Sequence, residues 1–377
     1  KMYEFEEPKP VVCDDGKVDF YELKLINRVE KGDWLGERIE ATEGIPGISV
    51  KNEPIKSVSG RNYPLNYDKN SVYEVLEDEK TVLYSRMNGA VSYKNGKISV
   101  SNCLEIDGDV GVSTGNIKFD GYVTVKGTIC DGFFVEATSD IEINGELGLG
   151  NIKGITSTGG SIYIKGGITS KNRAEVKAAK NIFTRFVDNV IIECGGTVHI
   201  GYYCFNSIIN SMEVVLDSSN GKITGGRIKA QIRVIASIIG SEIETRTHIE
   251  VAGFNRKSLI EDFDKILYKI NELKNEQQKL KLKLSYLDEQ ESLNPFQRRE
   301  YSNVTDRLFN IRDEIKKYES ERKSISGYLK ARGDGEIAIT RKVYPNCILL
   351  LSNNLIEINT ESHAVTYYIQ NSEIKQV

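Results

Sequence analysis

Five aspartates, Asp107, Asp109, Asp120, Asp131 and Asp140, sit at glycine-bearing breaks between short apolar runs. Carboxylates grouped on such turns could act as general acid and base on a carbohydrate. Asp next to Gly also has a plain turn role, because it bonds its own backbone and tolerates unusual dihedral angles. No cluster of paired aspartates with a nearby His and Arg-x-Lys accompanies these five, so the turn role is the expected one. Of the three histidines, His199 lies between Val198 and Ile200, and His248 precedes Ile249 and Val251. With the apolar residues facing inward, both histidines face out. An outward His could be the base of an acyl transfer, yet a lone exposed His is ordinarily a surface residue. His363 belongs to an unassigned tail.

Other residue types are equally quiet. The six cysteines (Cys13, Cys103, Cys130, Cys194, Cys204 and Cys347) contain no C-x-x-C, and the nearest pair, Cys194 and Cys204, has no His at metal-ligand spacing. This usage reads as a reduced, intracellular chain. The glycine pairs at 159–160, 166–167, 195–196 and 225–226 lack a following Lys-Ser or Lys-Thr helix start, so they are read as corners rather than phosphate cradles. No catalytic, cofactor-binding or metal-binding residue is assigned.

These residues stand in a chain of 377 residues, 39% hydrophobic and 28% charged, with 33 Gly against 7 Pro and 1 Trp. The glycine count points to many tight turns between short strands. A net charge of −4 gives no whole-molecule case for nucleic acid. No apolar run approaches a membrane span, and no signal peptide opens the chain. Lys1 precedes Met2, so the sequence reads as a fragment or as carrying an added residue.

The elements that would position any site are repeats. Val123 to Gly127 (VTVKG) has relatives beginning at Leu104, Ile141, Ile162, Val198 and Ile249, with looser copies at Ile182, Val214 and Ile232. The mean step is (249 − 104)/8, about 18 residues. Each period holds at least two short strands with inward residues two apart, joined by Gly, Asn or Asp turns. Nine such coils at ~4.8 Å each would form a rod of roughly 40 Å. From Ile117 the large residues recur at sixes (Ile117, Val123, Ile129, Val135, Ile141, Leu147), imitating a left-handed hexapeptide helix. The sixes fail after Leu147, and Asp120, Lys126 and Asn144 occupy positions such repeats keep small, so a right-handed coil is favoured.

At Leu259 the period changes. Leu259, Phe263, Ile266, Ile270, Leu273, Gln277, Leu280, Leu284 and Leu287 follow the four-three spacing of a heptad seam. Asn294 can cap, and Pro295 can open, a second helix. There Tyr301, Val304, Leu308, Ile311, Ile315, Tyr318, Arg322 and Ile325 resume the seam. Two such arms pair antiparallel. Residues 256–332 hold 18 Lys and Arg against 14 Asp and Glu, a balance of +4, which leaves −8 for the rest. Ahead of the repeats, the first hundred residues read as a small β region with irregular turns, including a hairpin turn at Asn95-Gly96.

The run GNIKFDGYVTVKGTICDGFFVEA, the later GGSIYIKGGI, GKITGGRIKA and ASIIGSEIETRTHIEV, and the helical hairpin that follows resemble the flagellar assembly protein A (FapA) family. KGDWL at 31–35 and GIPG at 44–47 look like that family's amino-terminal region, and the likeness runs from about Gly32 onward. Tyr122 and Ser139 depart from the Asp or Gly expected in the repeat. The resemblance implies a bacterial cytoplasmic protein tied to flagellar assembly or placement, with no established catalytic residues.

The expectation is therefore a mainly β chain. It has an N-terminal β-rich domain (1–101), a single-stranded parallel β-helix (102–255), an antiparallel coiled-coil hairpin (256–332) and a C-terminal β segment returning to the β-helix (333–377). The expected role is a non-enzymatic scaffold that binds a protein partner, or a second copy of itself, through the hairpin. The candidate contacts are Leu287, Leu293, Asn294, Pro295, Phe296, Lys279, Lys281 and Lys283. The alternatives are a hexapeptide-type acyltransferase using His199 or His248, which would be a trimer, and a carbohydrate-active β-helix using the turn aspartates.

Overall fold

The computed structural model describes every residue except 1, 4–9, 13–17, 24–26, 52–53, 78–79, 95, 289, 291–293 and 372. Cys13, Asn95 and Leu293 thus lie outside the described residues. The chain divides into two compact units, Lys1–Gly195 and Gly196–Val377.

The first unit opens with small antiparallel sheets. Trp34–Ile39 and Val72–Glu77 flank Lys80–Ser85, while Arg28–Val29 and Lys97–Ser101 flank Gly89–Lys94. Val29, Leu35, Val72, Leu83, Ile98 and Val100 form their common core. Gly96, in the turn between Gly89–Lys94 and Lys97–Ser101, has φ +73°, a left-handed value that favours glycine.

Parallel coils follow. Leu104, Val123, Ile141, Ile162 and Ile182 stack in register along one side. Ile117, Val135, Ile155, Val176 and Ile192 stack along a second. A third side, made of isolated bridges and strand ends, pairs Val110 with Ile129 and joins Leu149, Ile168 and Val187. Each coil therefore has three sides, one more than the minimum of two read from the sequence. The six-residue spacing of Val123, Ile129 and Val135 is one circuit of a coil. The spacing ends earlier than expected: Leu147 is 81% exposed, and Leu149 takes the inward place at 2%. The corner after Ile143 is two residues longer than its predecessor, which carries Leu147 outside.

In the second unit the same three-sided plan continues. Val198, Val214, Val234 and Ile337 form one stack. Cys204, Ile223, Ile239 and Val343 form the second, and Ile209, Ile228, Ile249 and Leu349 the third. Burying these aliphatic columns against the coils above and below is what stabilises a solenoid, since a single coil has no core of its own. The last coil is covered by antiparallel partners: Ser362–Gln370 pairs with Glu336–Val343, and Asn354–Ile358 with Cys347–Leu351. These returns occupy backbone groups that would otherwise be an open edge.

The helices α1 (Arg256–Asp288) and α2 (Pro295–Tyr328) leave this unit at a corner. Ala230 pairs with Val251 and Arg233 with Glu336, so residues 252–335 fill a corner that the preceding coil turns with only Gln231 and Ile232. A corner insertion leaves every ladder pairing intact, which is why a long excursion is tolerated here.

Candidate functional site

The turn aspartates are structural, by a route the sequence did not reveal. They reach the next coil. Asp109 Oδ1 accepts from the Thr128 amide at 2.7 Å, Asp131 Oδ1 from the Asn151 amide at 2.8 Å, and Asp140 Oδ1 from the Ser161 amide at 2.7 Å. Asp120 Oδ1 accepts from the Thr138 hydroxyl at 2.7 Å, and Asp107 forms an ion pair with Lys126 at 2.6 Å. Their acceptor capacity ties successive coils together. The glycine pair at 225–226 turns a corner: both residues have positive φ, and a Cβ on Gly226 would lie 2.2 Å from the Ser207 carbonyl oxygen.

His199 Nδ1 lies 3.5 Å from Asp217 Oδ1, long for a hydrogen bond. His248 is half-buried beside Arg227, and its Nδ1 is buried without a hydrogen-bond partner. Burial, then the nearby Arg227, pushes its pKa below the ordinary histidine value. Neither histidine is set in a hydrogen-bonded nucleophile–base arrangement by these contacts. Among the described residues no group of three or more His, Cys, Asp or Glu could hold a metal ion. Also among them, no helix is long and apolar enough to cross a membrane.

The hairpin is the more developed feature. Its root is fixed by Arg256, whose guanidinium donates to the carbonyls of Leu329 (2.8 Å), Ala331 (2.5 Å) and Gly333. Tyr328 and Ala331 pack on Ile232 of the preceding coil, with Phe254 and Leu259 alongside. The Phe254 amide donates to the Asp334 carbonyl at 2.7 Å, bringing the entering and leaving chains together. This clamp was not read from the sequence, since one arginine at the start of a helix carries no sign of three carbonyls from the far end of the insertion.

The arms run antiparallel, as their ion pairs show. Lys274 meets Glu319 at 2.8 Å, Glu276 meets Arg307 at 2.8 Å, and Lys283 meets Glu300 at 2.5 Å. Leu273, Ile311 and Ile315 form the inner cluster, with Leu280 and Tyr318 against it. The seam positions of α1 are buried or half-buried; on α2, Arg322 is exposed. Asn294 caps α2 with a reciprocal pair of bonds: its Oδ1 accepts from the Gln297 amide at 2.8 Å, and Gln297 Oε1 accepts from the Asn294 amide at 2.9 Å. The cap at Asn294 and Pro295 was legible, and Gln297 completes a capping box that the N-x-x-Q spacing also encodes.

The predicted contact residues separate into three groups near the tip. Leu287 is only 4% exposed, so it serves the helix pair and is not available to a partner, which corrects its assignment. Asn294 is used in the cap. Phe296 is 75% exposed, and Lys279, Lys281 and Lys283 are exposed, with Lys283 tied to Glu300. Beside Phe296 lies a groove of about 510 Å³. Leu280 and Val304 contribute apolar lining, Lys283, Arg299 and Arg307 positive charge and Glu300 negative charge, with Lys283 paired to Glu300 and Arg307 to Glu276 and Glu314. Leu280 and Val304 were read from the sequence only as seam residues; no signal distinguished the part of the seam left open. The groove can take an apolar side chain, with the Arg299 guanidinium at its wall as a donor to a carboxylate.

Two family models match the chain: the Flagellar Assembly Protein A beta solenoid domain over residues 102–374, and the Flagellar Assembly Protein A N-terminal region over residues 3–96. No curated protein and no solved structure matches it.

Proposed function

The chain belongs to the Flagellar Assembly Protein A family, and from that premise we propose that it is a non-enzymatic cytoplasmic scaffold in flagellar assembly or placement. The solenoid is the rigid body and the helical hairpin is the arm that holds a protein partner. The observation that carries this reading is the clamped insertion. A hairpin of two helices of 33 and 34 residues leaves at a corner, where it adds nothing to the ladders, and displays an exposed Phe296 beside a part-apolar, basic groove. Exposed aromatics next to a concave lining are features of protein-binding surfaces.

Affinity capture from native cells, read by mass spectrometry, tests the reading. It compares the intact chain with a full-length Phe296→Ala, Arg299→Glu variant, and with a chain in which a short turn replaces residues 257–331. A defined protein set should be held by the intact chain and lost by both others. Retention of that set by the shortened chain would remove the arm from the account.

A further inference from the structure

The outer side of α2, turned away from α1, carries a short stripe that runs aromatic, charge, charge, aromatic from either end. Arg299 and Asp306 are seven residues apart, so at about 100° per residue they lie almost on one line along the helix. Phe296 precedes Arg299 by three residues and Phe309 follows Asp306 by three, which sets the two aromatics about 60° to opposite sides of that line. Asn303 lies between the charges. The buried seam residues Val304 and Ile311, the latter packed on Leu273 of α1, are on the other side of the helix.

The stripe has no cover. Phe296 is 75% and Phe309 55% exposed, the two large hydrophobic residues of α2 left mostly exposed among the described residues. Arg299, Asn303 and Asp306 are exposed, and neither Arg299 nor Asp306 has an ion pair among the described residues. The neighbouring charges are committed: Glu300 to Lys283, and Arg307 to Glu276 and Glu314. Asp313, next on the line, pairs with Lys316 at 3.9 Å. Arg298 falls about 100° from Arg299, at the margin of the stripe.

We infer that this stripe is a homodimer surface, on which two copies of α2 meet antiparallel about a two-fold axis passing between positions 302 and 303. In an antiparallel pair the positions that meet have a constant sum, and 299 + 306 and 296 + 309 both give 605. Arg299 of each copy therefore faces Asp306 of the other, twice per dimer. Each ion pair lies between Phe296 of one copy and Phe309 of the other, on opposite margins. The aromatics exclude water from a pair that would be worth little if exposed. A face that supplies its own mate under a two-fold rotation is what an isologous contact requires, and this selects a second copy. A parallel pairing would set Arg299 against Arg299 and Asp306 against Asp306. The contact spans 13 steps of about 1.5 Å, roughly 20 Å of helix, so the association is weak and concentration-dependent.

Sedimentation of the purified full-length chain over a concentration series tests this with Arg299→Asp, Asp306→Arg, their equimolar mixture and the double variant. Wild type should form a reversible dimer and nothing larger. Each single variant should dimerise at least roughly tenfold more weakly, since both ion pairs become like-charge contacts. The mixture should regain at least the wild-type constant, because the acidic stripe of one variant then meets the basic stripe of the other, and the double variant should regain it alone. Misfolded variants could do neither. Phe309→Ala, outside the groove lining, should weaken the dimer as well. A monomeric wild type, an assembly indifferent to the charge reversals, or a mixture no stronger than its components would each overturn the inference. Because the purified chain is used alone, none of these results depends on whether another protein binds the arm.

Discussion

At the level of single residues the described chemistry is quiet and the bonding is structural. Cys194, Cys204 and Cys347 are buried and outside any disulfide, whereas Cys103 and Cys130 are exposed. Burial pushes the Cys347 thiol up to about 11, so it has little thiolate at neutral pH. Peptide-resolved alkylation of the folded chain should label Cys103 and Cys130 and spare Cys347 until denaturant is added; early labelling of Cys347 would contradict the packing. Asp131 makes a second kind of test. It accepts from both the amide and the side-chain amide of Asn151. Asp131→Ala should cost about 1 kcal/mol in denaturant unfolding, while a catalytic role would predict lost turnover with unchanged stability. That these aspartates stand on turns was visible in the sequence. Their partners were not, because Asp131 and Asn151 are twenty positions apart and only the stacking of coils makes them neighbours.

At the level of elements, periodicity made some parts legible and hid others. The heptad seam identified the paired helices because burial on one face of a helix leaves a four-three imprint. The six-residue spacing identified the coil sides until one longer corner moved the inward place from Leu147 to Leu149. The helix pair also has a pH dependence. Arg307 and Lys274 hold the Glu276 and Glu319 carboxyls below the ordinary carboxylate range by charged hydrogen bonds. A carboxylate with a depressed folded pKa adds stability that is complete above its unfolded pKa and is lost as pH falls through the folded value. The hairpin's stability should therefore fall slightly as pH drops through the folded values of these two exposed carboxyls. Glu276→Gln with Glu319→Gln should flatten that dependence. Ile311→Ala, which empties a fully buried place between the arms, should cost about 3 kcal/mol.

At the level of the whole molecule, charge and architecture divide the labour. The hairpin region carries +4 and the rest of the chain −8, and the solenoid columns are aliphatic and closed by antiparallel returns. The family fixes the type of body, and the proposed partner-binding surface is carried by the helix pair. Capture of proteins by deletion variants reports only loss. The most direct test of the hairpin's role places a photo-reactive phenylalanine analogue at Phe296 of the full-length chain in living cells, with a control at Tyr268, an exposed aromatic on α1 away from the groove lining. The account predicts a cross-link from position 296 to a defined partner, absent from position 268 and diminished by Arg299→Glu. Equal cross-linking from both positions, or none from 296 while partners are still captured by the intact chain, would contradict it.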